Sequence, residues 1–231
     1  MSAPAGGPLP LSGPVAVVDE PTRVFALRHG QTAWNAEQRI QGQLDVPLDD
    51  TGRWQAARLA RALAGEGIVA VYSSDLQRAL ATAQALAGAV GLPVQAQASL
   101  RERAFGRFEG ATHAEIEQRW PEDAARWRRR ESGYGPGGGE ALADFYIRSV
   151  AALTQLAARH PGQAIAVVAH GGVLDCLHRA AMRVALDAPR TWQLGNASIN
   201  RLLYTGEGWT VVGWNDAAHL EGRGAAGAVQ A

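Results

Sequence analysis

The stretch Val24-Phe25-Ala26-Leu27-Arg28-His29-Gly30 decides how this chain folds. Its apolar half reads as a buried strand, and it delivers an arginine, a histidine and a glycine to the strand's carboxyl end, where open α/β sheets bind their ligands. A second apolar run, Ile165-Ala166-Val167-Val168-Ala169-His170-Gly171-Gly172, ends on the same His-Gly pair 141 positions further on. Two strand-end histidines, each followed by glycine, point to one site. Arg28 suits that site to phosphate, because a planar guanidinium holds two phosphate oxygens at once.

Outward from these two runs the pattern alternates. Strand readings at Val24 to Arg28, Val69 to Tyr72 and Val94 to Gln97 are separated by helix readings at Thr51 to Ala64 and Leu76 to Val90. A switch between period 2 and period 3.6 is the mark of an α/β chain. In the helix of residues 51–64, Asp50 or Thr51 is the expected cap, Gly65 the stop, and Leu59 and Leu63 share the packing face. From Thr112 to His160 the expectation is helix, interrupted by Ser132 to Gly139, where five glycines and a proline in eight residues force a loop, either a lid or a plain connection. A helix from Val173 to about Val184 and two strands, Ile199 to Tyr204 and Trp209 to Trp214, around Gly206-Glu207-Gly208, complete the reading, the last pair as a hairpin.

Composition narrows the function classes. The 231 residues suffice for one domain, placed at residues 22–220, between an Ala-, Pro- and Gly-rich extension (1–21) and a similar tail (221–231), both expected to be mobile. Charge is balanced at 22 basic and 22 acidic residues, which argues against a general nucleic-acid or membrane-surface binder. Every basic residue is arginine, so a Schiff-base lysine and a phosphate-loop lysine are both impossible. The single cysteine, Cys176, can form no internal disulfide; a cytoplasmic protein is expected, with Cys176 as a helix packing residue. With no basic residue before Arg23 and only the apolar run Val15 to Val18, the N-terminus is expected to be neither signal peptide nor anchor.

Four segments carry the chemistry when read together. They are Leu27-Arg28-His29-Gly30-Gln31-Thr32-Ala33-Trp34-Asn35; Tyr72-Ser73-Ser74-Asp75-Leu76-Gln77-Arg78-Ala79; Leu100-Arg101-Glu102-Arg103-Ala104-Phe105-Gly106-Arg107-Phe108-Glu109-Gly110; and the strand ending His170-Gly171-Gly172. The set resembles the histidine phosphatase superfamily, the clan of phosphoglycerate mutases and acid-type phosphomonoesterases, from about Thr22 to Leu220. The resemblance implies a three-layer α/β/α sandwich with a mostly parallel central sheet, phosphoglycerate mutase-like, and a phosphohistidine intermediate.

Residue by residue, His29 takes the nucleophile's position. A neutral imidazole is available near pH 7, and a covalent intermediate splits one hard displacement into two easier ones. Arg28 and Arg78 match the two arginines that clamp the phosphoryl group, and His170 the second histidine that donates to it. Positioning and charge neutralisation supply most of the catalysis in phosphoryl transfer. Gly171 would let a helix N-terminus add backbone donors to the same anion. Glu102 matches the acid that protonates the leaving oxygen and then activates water. The phosphate's negative charge helps such a group keep its proton, while Arg101, Arg103 and Arg107 pull the other way. Asn35 is read as phosphate ligand or helix cap, Gln41 and Gly42 as neighbours of the same pocket, and Asn196 as pocket or turn residue. Neither His113, His160, His178 nor His219 makes a plausible metal set, and the phosphohistidine mechanism calls for no metal or cofactor. Arg128-Arg129-Arg130 reads as a solvated helix face.

The order Phe105-Gly106, Glu109-Gly110, Glu115-Ile116, Pro121, Trp127 and Pro136-Gly137-Gly138-Gly139-Glu140 looks like the phosphatase-type branch, departing from its commoner Pro-Pro-Gly-Gly-Glu-Ser at Gly135, Gly139 and Ala141. The expected activity is therefore hydrolysis of a small phosphorylated metabolite. Phosphoglycerate mutase-type transfer in the same pocket is the alternative, and a non-catalytic phosphate-binding regulatory module the alternative of another class. The sequence is compatible with a homodimer.

Overall fold

The computed structural model describes residues 20–221; the expected N-terminal extension and C-terminal tail lie almost wholly outside these residues. Six strands form one sheet: β1 (Thr22–Arg28), β2 (Ile68–Ser73), β3 (Val94–Ala96), β4 (Ala164–Ala169), β5 (Ile199–Thr205) and β6 (Gly208–Asp216). They lie in the order β3-β2-β4-β1-β5-β6. β1 to β4 pair in parallel, while β5 runs antiparallel to both β1 and β6. The sheet is thus mostly parallel, with the hairpin read at residues 199–214 on its edge. β4, buried along its whole length, is a central strand covered on both faces.

Seven α-helices are described: α1 (Ala33–Ala36), α2 (Asp50–Leu63), α3 (Gln77–Val90), α4 (His113–Arg119), α5 (Pro121–Arg128), α6 (Leu142–Ala157) and α7 (Gly171–Met182). α2 and α3 cover one face of the sheet, burying Leu59, Leu63, Ala79, Ala83 and Leu86 against Phe25, Leu27, Val71 and Val168. α6 and α7 cover the other, with Phe145, Leu153, Val173 and Leu177 against Val24, Ala26, Ile165 and Val167. The buried positions of α2 (Gly52, Ala56, Leu59, Ala60, Leu63) are spaced as one helical stripe. A third, smaller core of Phe108, Ala111, Ile116 and Ala124 is walled by Phe105, Trp120 and Trp127.

Two local expectations are corrected. α2 is capped by Asp49, whose carboxylate accepts Gly52 N–H at 2.7 Å, not by Asp50 or Thr51. The helix expected from Thr112 onward breaks at Trp120, because Pro121 has no N–H to continue α4 and instead opens α5 at its first turn. Cys176 is buried in α7, as expected of a packing residue, and burial pushes its thiol up.

The topology sets the site. The chain leaves β1 toward helices on one face and leaves β4 directly into α7 on the other. These neighbouring strands therefore part at their carboxyl ends, which is where such sheets open a crevice.

Candidate active site

Strand register brings the two histidines together. Arg28 pairs with Ala169, so His29 and His170 are the next residues on adjacent strands; His29 N–H donates to Ala169 O at 3.1 Å. The rings lie 5.3 Å apart between centroids, tilted by 56°. Both are buried, His29 at 3% and His170 at 0% exposure.

His29 Nδ1 stands 2.7 Å from the carbonyl of Gly30. A carbonyl only accepts, so Nδ1 carries the hydrogen and Nε2 keeps its lone pair. Nε2 has no hydrogen-bond partner among the described residues, and His29 lines a cavity of about 390 Å³. The backbone around His29 is fixed from several sides: Ala197 N–H and Asn196 Nδ2 both donate to His29 O at 3.1 Å, and Gly30 N–H donates to Thr82 Oγ1 at 3.0 Å. Gly30 also allows a close approach, since a Cβ there would stand 2.5 Å from Gly52 O. Burial, reinforced by Arg78 and Arg28, holds the His29 imidazole well below the ordinary histidine range; burial and then Arg78 do the same to His170. Both nitrogens of His170 are buried without a partner among the described residues, and His170 is not one of the residues that line the cavity.

Arg28 and Arg78 are guanidiniums with no carboxylate in ion-pair range among the described residues. Arg78, 1% exposed, donates to Gly42 O at 2.7 Å and Leu44 O at 2.8 Å. Arg28 donates to Leu194 O at 2.6 Å, and burial brings it down to about 10. Each also has an unpartnered, buried Nε. Cations desolvated without counter-charge cost several kcal/mol each. A site that accepts this cost is built for an anion.

Glu102 lines the same cavity, its Oε1 accepting Arg103 N–H at 2.8 Å and its Oε2 Gly172 N–H at 2.9 Å. The second N–H of α7 is thereby engaged by Glu102, while Gly171 stays on the cavity wall. The three arginines set against Glu102 in the sequence are engaged elsewhere. Arg101 ion-pairs with Asp75 and Arg107 with Asp123, while Arg103 donates to the carbonyls of Tyr134 and Glu140.

The structure brings Asn35, Gln41, Gly42 and Gly171 to the cavity as well. Asn35 completes the capping box of α1, its Oδ1 accepting Thr32 N–H and Asn196 Nδ2 at 3.1 Å each, and it also lines the cavity. Gln41 is 8% exposed with Oε1 unpartnered, and Gly42, at φ 54°, presents its carbonyl to Arg78. The Gly-rich stretch 132–139 contributes no lining residue. It packs on the turn at Gly106–Phe108, with Arg107 N–H donating to Gly137 O at 3.2 Å, as a connection would.

Sequence reasoning missed four cations of the wall: Arg39, Arg103, Arg130 and Arg190. Arg130 is not on a solvated face with Arg128 and Arg129; a left-handed backbone (φ 52°) turns it to Leu186 O and Asp175. In all, six arginines and two carboxylates line the cavity, so its ligand should carry more than one negative charge. Among the described residues no group of three or more His, Cys, Asp or Glu side chains could hold a metal ion. Nor is any described helix long and apolar enough to cross a membrane.

Residues 24–217 match the model of the histidine phosphatase superfamily (branch 1). The chain is 40% identical over 205 residues to phosphoglycerate mutase-like protein 4 of Arabidopsis thaliana, covering 87% of this chain and 88% of that one. It is 37% identical over 213 residues to the metal-independent phosphoserine phosphatase of the same plant, covering 91% and 88%. The solved mycobacterial glucosyl-3-phosphoglycerate phosphatase in complex with VO3 superposes with a TM-score of 0.76 at 34% identity, across 84% of this chain and 99% of that one. A match that runs from β1 into the end of β6, with relatives that share the architecture throughout, leads to one conclusion: the chain belongs to the histidine phosphatase superfamily, branch 1, and is an enzyme.

Proposed function

We propose that the protein hydrolyses the phosphate monoester of a small metabolite through a phosphohistidine on His29. The observation that carries this reading is the tautomer. Gly30 O fixes the hydrogen on Nδ1 and leaves Nε2 open beside two guanidiniums that lack counter-charges.

In the first step the Nε2 lone pair attacks phosphorus and the ester P–O bond breaks. Glu102 gives its proton to the departing oxygen, so an alcohol leaves. The imidazole, now bonded to phosphorus, carries a positive charge that Gly30 O faces through the Nδ1 hydrogen. In the second step the Glu102 carboxylate takes a proton from water, the water oxygen bonds to phosphorus, the N–P bond breaks, and inorganic phosphate is released. Arg28 and Arg78 neutralise the equatorial oxygens throughout, while His170, fully buried with its ring centroid 5.3 Å from that of His29, packs beside the nucleophile. The mechanism routes no step through a metal. The setting we assign is the cytoplasm, on the strength of a lone cysteine that can form no internal disulfide.

Rapid quenching of the enzyme mixed with a labelled phosphoester tests the reading. Acid-labile label on His29, absent from His29→Ala, is expected, together with phosphate release over a panel of esters. Interconversion of 3- and 2-phosphoglycerate outpacing phosphate release would replace hydrolysis by mutase-type transfer. Ligand binding with neither label nor release would leave a phosphate-binding module.

A further inference from the structure

The carbonyl that fixes the His29 tautomer is itself held from behind. Gly30 C=O and Gln31 N–H belong to one planar trans peptide unit, so they point in opposite directions along one line. The carbonyl end faces His29 Nδ1 at 2.7 Å, and the N–H end donates to Gln55 Oε1 at 2.8 Å. An N–H only donates, so the Gln55 atom that meets it is the amide oxygen and not the amide nitrogen. The result is an unbranched series of hydrogen bonds. It runs from imidazole Nδ1–H to the Gly30 carbonyl, across the peptide, and from Gln31 N–H to the Gln55 side-chain carbonyl.

Helix α2 sets Gln55 in that place. Gly52, three residues earlier on the same face, brings the helix against the main chain: a Cβ on Gly52 would meet Gln31 O, and one on Gly30 would stand 2.5 Å from Gly52 O. Asp49, the cap of α2, adds two bonds to the same residue, its N–H donating to Gln31 O at 3.1 Å and its Oδ2 accepting Gln31 Nε2 at 3.0 Å. The preceding peptide is tied separately, by Gly30 N–H to Thr82 Oγ1. These contacts fix where the Gly30-Gln31 segment lies, whereas the bond to Gln55 falls on the peptide unit whose carbonyl meets His29. Gln55 is half-buried and is not among the residues that line the cavity, so it reaches the site only through that peptide.

We propose that Gln55 is a positioning residue for the nucleophile: by accepting Gln31 N–H, its side-chain carbonyl aims and polarises the Gly30 carbonyl, which keeps the His29 hydrogen on Nδ1 and leaves Nε2 open to phosphorus. Hydrogen bonds in series strengthen one another, the more so away from water. The same series serves the phosphoenzyme, in which the imidazole bonded through Nε2 carries a positive charge and Nδ1–H must stay donated. The assignment rests on the phosphohistidine reading for why the tautomer matters.

Long-range proton–nitrogen spectra of protein isotope-labelled at its six histidines read the tautomer of each ring, and the signal missing from His29→Ala assigns His29. Burial keeps that imidazole neutral near pH 7, so the wild type should show Nδ1–H alone. Gln55→Met keeps the reach and helix preference of the side chain and removes the acceptor. It should show a mixture of tautomers and phosphorylate His29 about 10-fold or more slowly in single turnovers, the scale seen when the outer partner that orients a histidine ligand is lost. Its affinity for inorganic phosphate, which depends on Arg28 and Arg78, should stay that of the wild type. Gln55→Glu, whose carboxylate also accepts Gln31 N–H, should recover both the single tautomer and the rate. Retention of Nδ1–H and of the phosphorylation rate in Gln55→Met would overturn the assignment. So would slow turnover in both variants with the wild-type tautomer kept, since packing alone would then be at work. The spectrum needs no turnover, which separates the two readings. A tautomer that depends on Gln55, with no label ever formed on His29, keeps the relay and sinks the phosphohistidine; label formed at a rate that ignores Gln55 does the reverse.

Discussion

Replacing Arg78 by methionine should remove function while leaving the fold almost untouched. The guanidinium is 1% exposed and bonded to two carbonyls, Gly42 O and Leu44 O, with no carboxylate in range. On the ligand side, truncating a desolvated charge contact costs about 2 to 5 kcal/mol, or roughly 30- to 5000-fold in phosphate affinity. On the folding side, two lost hydrogen bonds at about 1 kcal/mol each are opposed by relief of an uncompensated buried charge, itself several kcal/mol. The two sides nearly cancel, so the ligand-free Tm should move by no more than about 4 °C in either direction. Thermal unfolding with and without phosphate reads both quantities. At 100 times the wild-type Kd, phosphate adds about 2.7 kcal/mol to the wild type and less than about 1 kcal/mol to a variant weakened 30-fold. An unchanged phosphate-induced shift would remove Arg78 from the phosphate site. A ligand-free variant destabilised by more than about 3 kcal/mol would show that the arginine serves the fold.

Two further outcomes follow from burial and from backbone contact. Because burial and nearby guanidiniums depress His29 and His170, the unfolded chain binds more protons than the folded one just below the ordinary histidine value of 6.5. Stability should be complete above that pH and fall below it, by up to about 1.4 kcal/mol per pH unit for each histidine, with a shallower slope in His29→Ala; identical slopes in a Tm series would refute the assignment. Gly52→Ala would press a Cβ onto the main chain of Gln31, so a loss of about 1 to 3 kcal/mol is expected by denaturant titration, whereas Gly65→Ala, with open space around it, should cost nothing.

The readable part of this protein was the part written in periodicity and in strand ends. β1 and β4 announce themselves as apolar runs, and their in-register pairing makes neighbours of two histidines 141 positions apart, as the repeated His-Gly implied. Helix packing faces such as that of Leu59 and Leu63 were equally plain. What stayed hidden depends on single backbone angles and on loops meeting in space. Arg130 reads as the end of a basic run until a left-handed residue turns it inward. Arg190 lies in an irregular segment after α7, with no spacing that ties it to Asp175. Arg101, Arg103 and Arg107 flank Glu102 in sequence, yet each is drawn to a partner that only the fold supplies. Pro121 was in plain view, and the break it makes between α4 and α5 is the one correction that local chemistry alone would have given.

Arg28 and Arg78 are aimed by main-chain carbonyls, those of Leu194, Gly42 and Leu44. A carbonyl belongs to every residue type, so where the side chain has room it is free to change while the aim of the clamp persists; Gly42, at φ 54° against Glu109, and Leu194, buried in the core, have none. Leu44, 44% exposed, has room. Chain length is a different matter, since one residue inserted between Gln41 and Asp45 would carry both of Arg78's acceptors out of reach. The loop can therefore drift in composition at Leu44 under a constraint on path that substitution statistics at that position would record only faintly.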